Sequence, residues 1–358
     1  MDDGRIGLRA GFPTCKSAAP CEYVALVGST TFPNRTQKVR NQKSLPWSSR
    51  QAPFALNWYA IFAELNNVAG ATSIGTLSYG RRPLSEKLNK ALRVRQRVGK
   101  YRIEKRLGEG GFARVYQAMD TIQGIRVALK IPHAPFVTDE VLEDFRKEAR
   151  TTSKLEHQNI LPIKDASIID ERFVIVFPLG ERTLDDRMKR RMSVEMSLNI
   201  IEQILEAVAY AHRRRIIHCD IKPENVILFP DGRVRLTDFG IAKVAQKTIR
   251  GSGTGTVGFM APEQAMGKPS MKSDVFSSGL LMYRMLAGKW PEWPFEWPGP
   301  AYRRLKSQAH PDLMALIRKA TELAPRKRFR DGNQLLNAFQ RVKPRSMQFV
   351  RKKKRRAA

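Results

Sequence analysis

Acidic residues are scarce in this chain. Its 358 residues hold 34 Asp and Glu against 64 Lys and Arg, a formal charge of +30. So large a positive excess excludes an acidic, cation-buffering protein and favours anionic partners. Cysteine is nearly absent, with only Cys15, Cys21 and Cys219. An odd, low count argues against a disulfide framework and fits a reducing compartment. These cysteines form no metal-binding spacing with the scattered histidines. Long apolar runs are also missing. The nearest approach, Ala52 to Ala63, is short and meets Glu64, Asn66 and Asn67, so no transmembrane helix is expected. The opening Met1-Asp2-Asp3 lacks the basic-then-apolar order of a secretory signal. The expectation is a soluble, cytoplasmic protein, or a nuclear one in a eukaryote because of the basic run Arg351–Arg356.

The positive charge is concentrated at the ends. Residues 1–99 hold 15 Lys and Arg against 5 Asp and Glu, and residues 341–358 hold 9 basic residues and no acid. Such ends suit nucleic acid, an acidic protein or an anionic lipid surface; the plainer expectation is solvated tails without fixed structure. Residues 1–98 show no sustained hydrophobic period and read as a basic, weakly structured extension, with a short helix near Trp58–Asn67. Beyond them the texture changes. Tyr101–Leu107, Ala113–Met119 and Ile125–Ile131 read as a three-strand meander, and Phe173–Phe177 as a further strand. A charged helix is expected at about Asp139–Leu155. Leu198, Ile201, Leu205, Val208 and His212 recur at helical steps behind a candidate N-cap, Ser193. Asp274–Ala287, stopped by Gly288, reads as a buried helix, and Leu313–Leu323 and Gln334–Val342 as later ones. A β-rich part followed by an α-rich part predicts an α+β, two-lobed domain.

The chemistry is carried by His218-Cys219-Asp220-Ile221-Lys222-Pro223-Glu224-Asn225, followed by Asp238-Phe239-Gly240. Two acids, a lysine and an amide at this spacing suit metal-dependent phosphoryl transfer. Asp220 can take a proton from an attacking hydroxyl, while Asn225 and Asp238 offer oxygens to Mg2+ or Mn2+. Upstream lie a glycine-rich turn, Leu107-Gly108-Glu109-Gly110-Gly111-Phe112-Ala113, and Val127-Ala128-Leu129-Lys130. Glycines let backbone N–H groups approach phosphates, and a lysine held between strands wants a carboxylate partner.

In this order the motifs resemble the eukaryotic-type (Hanks-type) serine/threonine protein kinase family. The resemblance implies a bilobal fold: a small β-rich N-lobe with one key helix and a larger α-helical C-lobe. It implies a kinase domain over 99–342, divided near 178/179, with 343–358 as a basic tail. It also implies transfer of the ATP γ-phosphate to Ser or Thr hydroxyls of protein substrates. Asp220 is then the catalytic base and Lys222 the cation beside the transferred group. Lys130, paired with Glu148, holds the α- and β-phosphates. Leu107, Gly108, Gly110, Gly111, Val115, Ala128 and Ile227 surround the nucleotide. Val176 is expected as the gatekeeper behind adenine, with the Phe177 carbonyl and Leu179 N–H reading its edge. Asn225 and Asp238 hold the metal. Lysine two residues after the acid, and Gly255-Thr256 ahead of Ala261-Pro262-Glu263, are the serine/threonine pattern. Glu263 is expected to pair with Arg328, and Asp274 to hold the catalytic-loop backbone.

Three departures from the family pattern keep a nucleotide-binding pseudokinase or scaffold with low turnover as the alternative. Ala113 replaces the third glycine. Cys219 replaces the arginine that binds activation-segment phosphate, so activity is expected to depend little on phosphorylation at Thr248, Ser252 or Thr254. Thr152 replaces a large apolar residue behind Glu148, so the charged helix is expected to swing out easily. Trp290, Trp293 and Trp297, spaced by prolines, read either as a cap on the large lobe or as a docking loop.

Overall fold

The computed structural model describes residues 90–110, 113–133, 139–239, 260–291 and 295–357. The expectations for residues 1–89, Gly111, Phe112, Thr248, Ser252, Thr254, Gly255, Thr256 and Trp293 lie outside them.

The described residues from Arg97 to Pro178 build an antiparallel six-stranded sheet with one helix. Its strands are β1 (Arg97–Val98), β2 (Tyr101–Glu109), β3 (Ala113–Asp120), β4 (Ile125–Pro132), β5 (Asp165–Ile169) and β6 (Arg172–Pro178), ordered β1-β2-β3-β4-β6-β5. The three meander strands match the sequence expectation to within two residues at each end. Their second hairpin is closed by Asp120, whose Oδ1 accepts from Ile122 N and Gln123 N, ahead of Gly124 at φ 66°. Side chains alternate between two faces. Val127, Leu129, Val174 and Val176 pack with Tyr101 and Tyr116 on one. Phe173, Ile175, Phe177 and Ala128 lie on the other, with Phe145 of helix α1 (Asp139–Thr152).

The second half is helical. Helices α2 (Leu184–Met188), α3 (Val194–Arg213), α4 (Pro262–Ala265), α5 (Met271–Ala287), α6 (Tyr302–Gln308), α7 (Pro311–Ala320) and α8 (Gly332–Ala357) surround a core built on Leu198, Ile201, Leu205, Leu286, Leu313 and Phe339. A three-stranded sheet, β7 (Arg182–Thr183), β8 (Val226–Leu228) and β9 (Val234–Leu236), lies on the same lobe. Ser193 caps α3 as expected, accepting from Met196 N. Helix α5 starts three residues before the expected Asp274, because Ser270 and Ser273 form a reciprocal capping box. Gly288 ends it at φ 80°, a left-handed conformation that costs glycine least.

The last helix departs from expectation. A helix was expected to stop at Val342, before Pro344, and the basic residues beyond to lack fixed structure. Instead α8 runs through Pro344 to Ala357. Proline removes one backbone hydrogen bond, but side-chain contacts on both sides of it offset the loss. Lys343 pairs with Glu202 and Arg345 with Asp312, Ser346 and Val350 are buried, and Phe349 meets the His310 ring edge-on.

Candidate active site

Lys130 and Ala128 share a face of β4. Registers Val115↔Lys130, Lys130↔Ile175 and Ala128↔Phe177 put Val115, Ile175 and Phe177 on that same face. Here Lys130 Nζ donates to Glu148 Oε1 at 3.0 Å and to Asp238 Oδ1 at 2.8 Å. Helix α1 therefore sits in its inward position. Lys130 and Glu148 are buried. Burial alone would lower the lysine pKa, but Asp238 and Glu148 reverse this and hold it above the ordinary value. Burial pushes the Glu148 carboxyl up to about 7; Lys130 opposes the rise and Asp238 adds to it. Lys130 outweighs burial at Asp238, whose pKa stays below the usual carboxylate value. One ammonium thus serves two carboxylates, and the deeper carboxylate resists ionisation.

The opposite wall is the catalytic loop. Asp220 Oδ2 receives Lys222 Nζ at 2.9 Å and Asn225 Nδ2 at 2.8 Å. Asn225 Nδ2 also donates to the Asp220 carbonyl at 2.9 Å. The Asp220 side chain is 35% exposed, open to an incoming hydroxyl. This loop is pinned from below. Asp274, buried in the first turn of α5, accepts His218 N and Cys219 N, each at 2.7 Å. Gln264 Nε2 donates to the Cys219 carbonyl at 2.6 Å. Cys219 has φ 63° and Asp238 φ 66°, left-handed conformations that cost a non-glycine residue about 1–3 kcal/mol each and persist where surrounding bonds impose them. Position 219 contributes its backbone to this anchoring, so exchange of the usual arginine for cysteine leaves the loop geometry intact.

His212 supports the arrangement. Its Nδ1 accepts Gly332 N at 2.8 Å, so the ring hydrogen lies on Nε2 and points at Asp274 Oδ2, 2.8 Å away. His218 likewise accepts Asp220 N on Nδ1 and donates from Nε2 to the Thr237 carbonyl, tying the loop to Asp238. Its ring packs on Phe239 with centroids 4.5 Å apart. The sequence reading did not assign His212 a role in anchoring Asp274, because helical periodicity accounts for it as core.

The nucleotide-binding expectations are mostly brought together. Ala128 and Ile227 both pack against the cluster that holds Phe177. Gly180 lies against Ile227, whose Cγ2 a Cβ at position 180 would strike. Gly108 pairs with Val115, while Leu107 is exposed at the sheet edge and Leu179 is half-buried past the strand end. His133, which sequence reasoning missed, bonds through Nε2 to the Gly110 carbonyl at 2.8 Å and ties the glycine turn to the end of β4.

The gatekeeper expectation needs correction. Val176 packs on the far face, with Leu129 and Val174. Strand alternation puts Phe177 on the cleft face instead. The family resemblance placed the gatekeeper one residue early on β6, and adjacent strand residues point to opposite faces.

The expected Glu263–Arg328 pair is present, with Arg328 buried and Glu263 partly so. Arg328 reaches both Glu263 oxygens, at 2.7 and 3.0 Å, and donates to the carbonyls of Glu322, Lys272 and Leu323. Trp290 and Trp297 cap the large lobe: Trp290 lies near Arg284, and Trp297 packs edge-on to Tyr283 and Tyr302.

With this geometry in place, comparison with known proteins is informative. Residues 101–330 match the protein kinase domain family. The chain belongs to the protein kinase family. It is 34% identical over 268 residues to serine/threonine-protein kinase PknA of Mycobacterium tuberculosis, covering 68% of this chain and 62% of PknA. It is 37% identical over 201 residues to serine/threonine-protein kinase PrkC of Bacillus subtilis, covering 54% of this chain and 31% of PrkC. The chain thus spans less than two thirds of each of these relatives. The crystallised PknI kinase domain of M. tuberculosis has the same fold, with TM-score 0.57 and 23% identity over 70% of this chain and all of that one. No helix among the described residues is long and apolar enough to cross a membrane.

The site can be tested for the divalent metal and ATP that the kinase family uses. Asn225 spends Nδ2 twice on Asp220, leaving its carbonyl Oδ1 as a donor oxygen with no hydrogen bond among the described residues. Among the described residues the bonds to Asp238 fall on Oδ1, leaving Oδ2. Among the described residues no three His, Cys, Asp or Glu cluster as metal ligands. Two hard oxygens without a full cage fit a cation that arrives with phosphates and completes its shell with them and water.

Proposed function

We propose that this chain is an active serine/threonine protein kinase using Mg2+ and ATP, with protein substrates. The observation that carries the reading is the convergence of Lys130, Glu148 and Asp238 from one side with Asp220, Lys222 and Asn225 from the other. Lys130 holds phosphate oxygens while Glu148 keeps the ammonium in place. Asp220 orients the substrate hydroxyl and accepts its proton, and Lys222 places positive charge beside the transferred group. Asn225 and Asp238 supply the metal's protein oxygens. The metal, when bound, neutralises charge spread over the triphosphate. Because phosphoryl transfer is catalysed mainly by positioning and electrostatics, this preassembled set accounts for the activity. The pseudokinase alternative has no observation of its own in this geometry.

The corrected strand register moves the adenine-reading edge by one residue. Phe177 becomes the gatekeeper, and the Pro178 carbonyl and Gly180 N–H replace the pair first expected. A cytoplasmic location goes with ATP use and with the low, odd cysteine count.

The test is autophosphorylation with labelled ATP and mass-spectrometric site mapping, beside a Lys130→Met control. Phosphate is expected on Ser and Thr, and none in the control. Absence of transfer by purified wild type, or transfer surviving in the control, overturns the reading.

A further inference from the structure

We propose that the C-terminal end of α8 and the loop before α3 form one preordered basic surface that binds the phosphate backbone of nucleic acid. The inference does not rest on the kinase activity. Arg351 reaches Glu195 in the first turn of α3 at 3.6 Å, and Lys353 Nζ donates to the Ser307 carbonyl of α6 at 2.7 Å. These contacts set the helix end between two other basic segments. On one side are Arg190 and Arg191, just before α3; on the other is Lys306 of α6. Arg190, Arg191, Lys306, Lys352 and Arg355 are all exposed, and none forms an ion pair among the described residues. The nearby acids are already engaged: Asp185 and Asp186 with Lys189, Glu202 with Lys343, and Glu195 with Arg351.

Two features favour nucleic acid over a lipid surface. Interfacial helices bury an apolar face in the bilayer. The apolar side chains of α8 are turned inward instead, with Val350 buried and Phe349 against His310. Positions 351–356 are all basic. Arg351 reaches α3 and Lys353 reaches α6, while Lys352 and Arg355 are exposed, so positive charge lies on more than one side of the helix, whereas a flat membrane meets one side of it. Phosphates strung along a flexible or grooved polyanion can follow charges so spread, and arginine forks match phosphate oxygens well. Because the surface is folded before it binds, no backbone ordering cost is added on association.

The experiment measures fluorescence anisotropy of the full chain with a labelled 20-base-pair duplex of arbitrary sequence over a KCl series. Parallel co-sedimentation uses vesicles containing phosphatidylglycerol. Duplex affinity is expected to fall linearly in log K against log salt, as counterion release requires. The combined variant Arg190→Glu, Arg191→Glu, Lys352→Glu and Arg355→Glu is expected to bind about tenfold or more weakly at fixed salt, with a flattened slope. Its thermal midpoint and phosphotransfer rate stay at wild-type values. Wild-type affinity in that variant would assign binding elsewhere and overturn the proposal. So would capture by the vesicles without binding to the duplex.

Discussion

Asp220 and Asn225 sit on a loop pinned by a buried carboxylate, whereas Lys130 depends on a helix that reaches it through one side chain. On the C-lobe side, Asp274 receives two backbone N–H groups and the His212 ring, and Gln264 adds a bond to Cys219. On the N-lobe side, Glu148 shares Lys130 with Asp238, and its own carboxyl is pushed towards protonation. A group fixed by several short bonds from buried helices has one available position. A group held only through ion pairs within a cluster of three charges can be shifted by anything that alters those charges. The floor of the cleft is built to hold geometry, and its roof to respond.

Substitutions can break this contrast. Asp220→Asn is expected to lower kcat by at least ~10²-fold, the low end for loss of a general base. Its thermal midpoint should hardly move, because the loop backbone is anchored through Asp274. A large loss of stability together with activity would mean that Asp220 supports the floor itself.

Asp274→Ala strikes the anchor. It leaves the His212 ring and two backbone N–H groups without their acceptor, at a cost of about 1–3 kcal/mol for each buried donor left unsatisfied. Urea denaturation measures this directly. An undiminished midpoint would show that the loop is held by something else.

Glu148→Gln tests the roof. The folded pKa of Glu148 is raised, so its stabilising contribution is fully present below about 4.5 and is lost as pH rises through about 7. The glutamine variant cannot ionise. In nucleotide-free protein, its stability relative to wild type is therefore expected to improve from pH 5 to pH 8. A pH-independent difference would contradict the raised carboxyl.

The smallest effect concerns the sheet face. Phe177→Ala is expected to lower KM severalfold for an ATP analogue enlarged at the adenine amino group, while Val176→Ala leaves that KM unchanged. The reverse result would restore the original gatekeeper reading.

The sequence was most legible where short-range chemistry dictates the outcome. Strand alternation in Ala113–Met119, the Ser193 cap, the Gly288 stop and the spacing of Asp220, Asn225 and Asp238 all translate into local structure. The sequence was less legible where distant residues decide. Nothing near Pro344 announces that Glu202 and Asp312 will hold a helix through it. His212 looks like core until Asp274 and Gly332 arrive beside it. Val176 and Phe177 are adjacent apolar residues, and only pairing with Ala128 determines which one faces the cleft. The departures at Cys219 and Thr152 also read differently in three dimensions: position 219 works through its backbone, and Thr152 is buried with Glu148 still on Lys130.

The central claim is that Asp238 and Asn225 supply oxygens to a divalent ion carried by a triphosphate. Calorimetric titration of wild type and Asp238→Asn with a non-hydrolysable ATP analogue, with Mg2+ and then with EDTA, tests it most directly. The account predicts tight binding by wild type only when Mg2+ is present, and loss of that metal dependence in the variant. Binding by wild type that ignores the metal, or no binding at all, would contradict it.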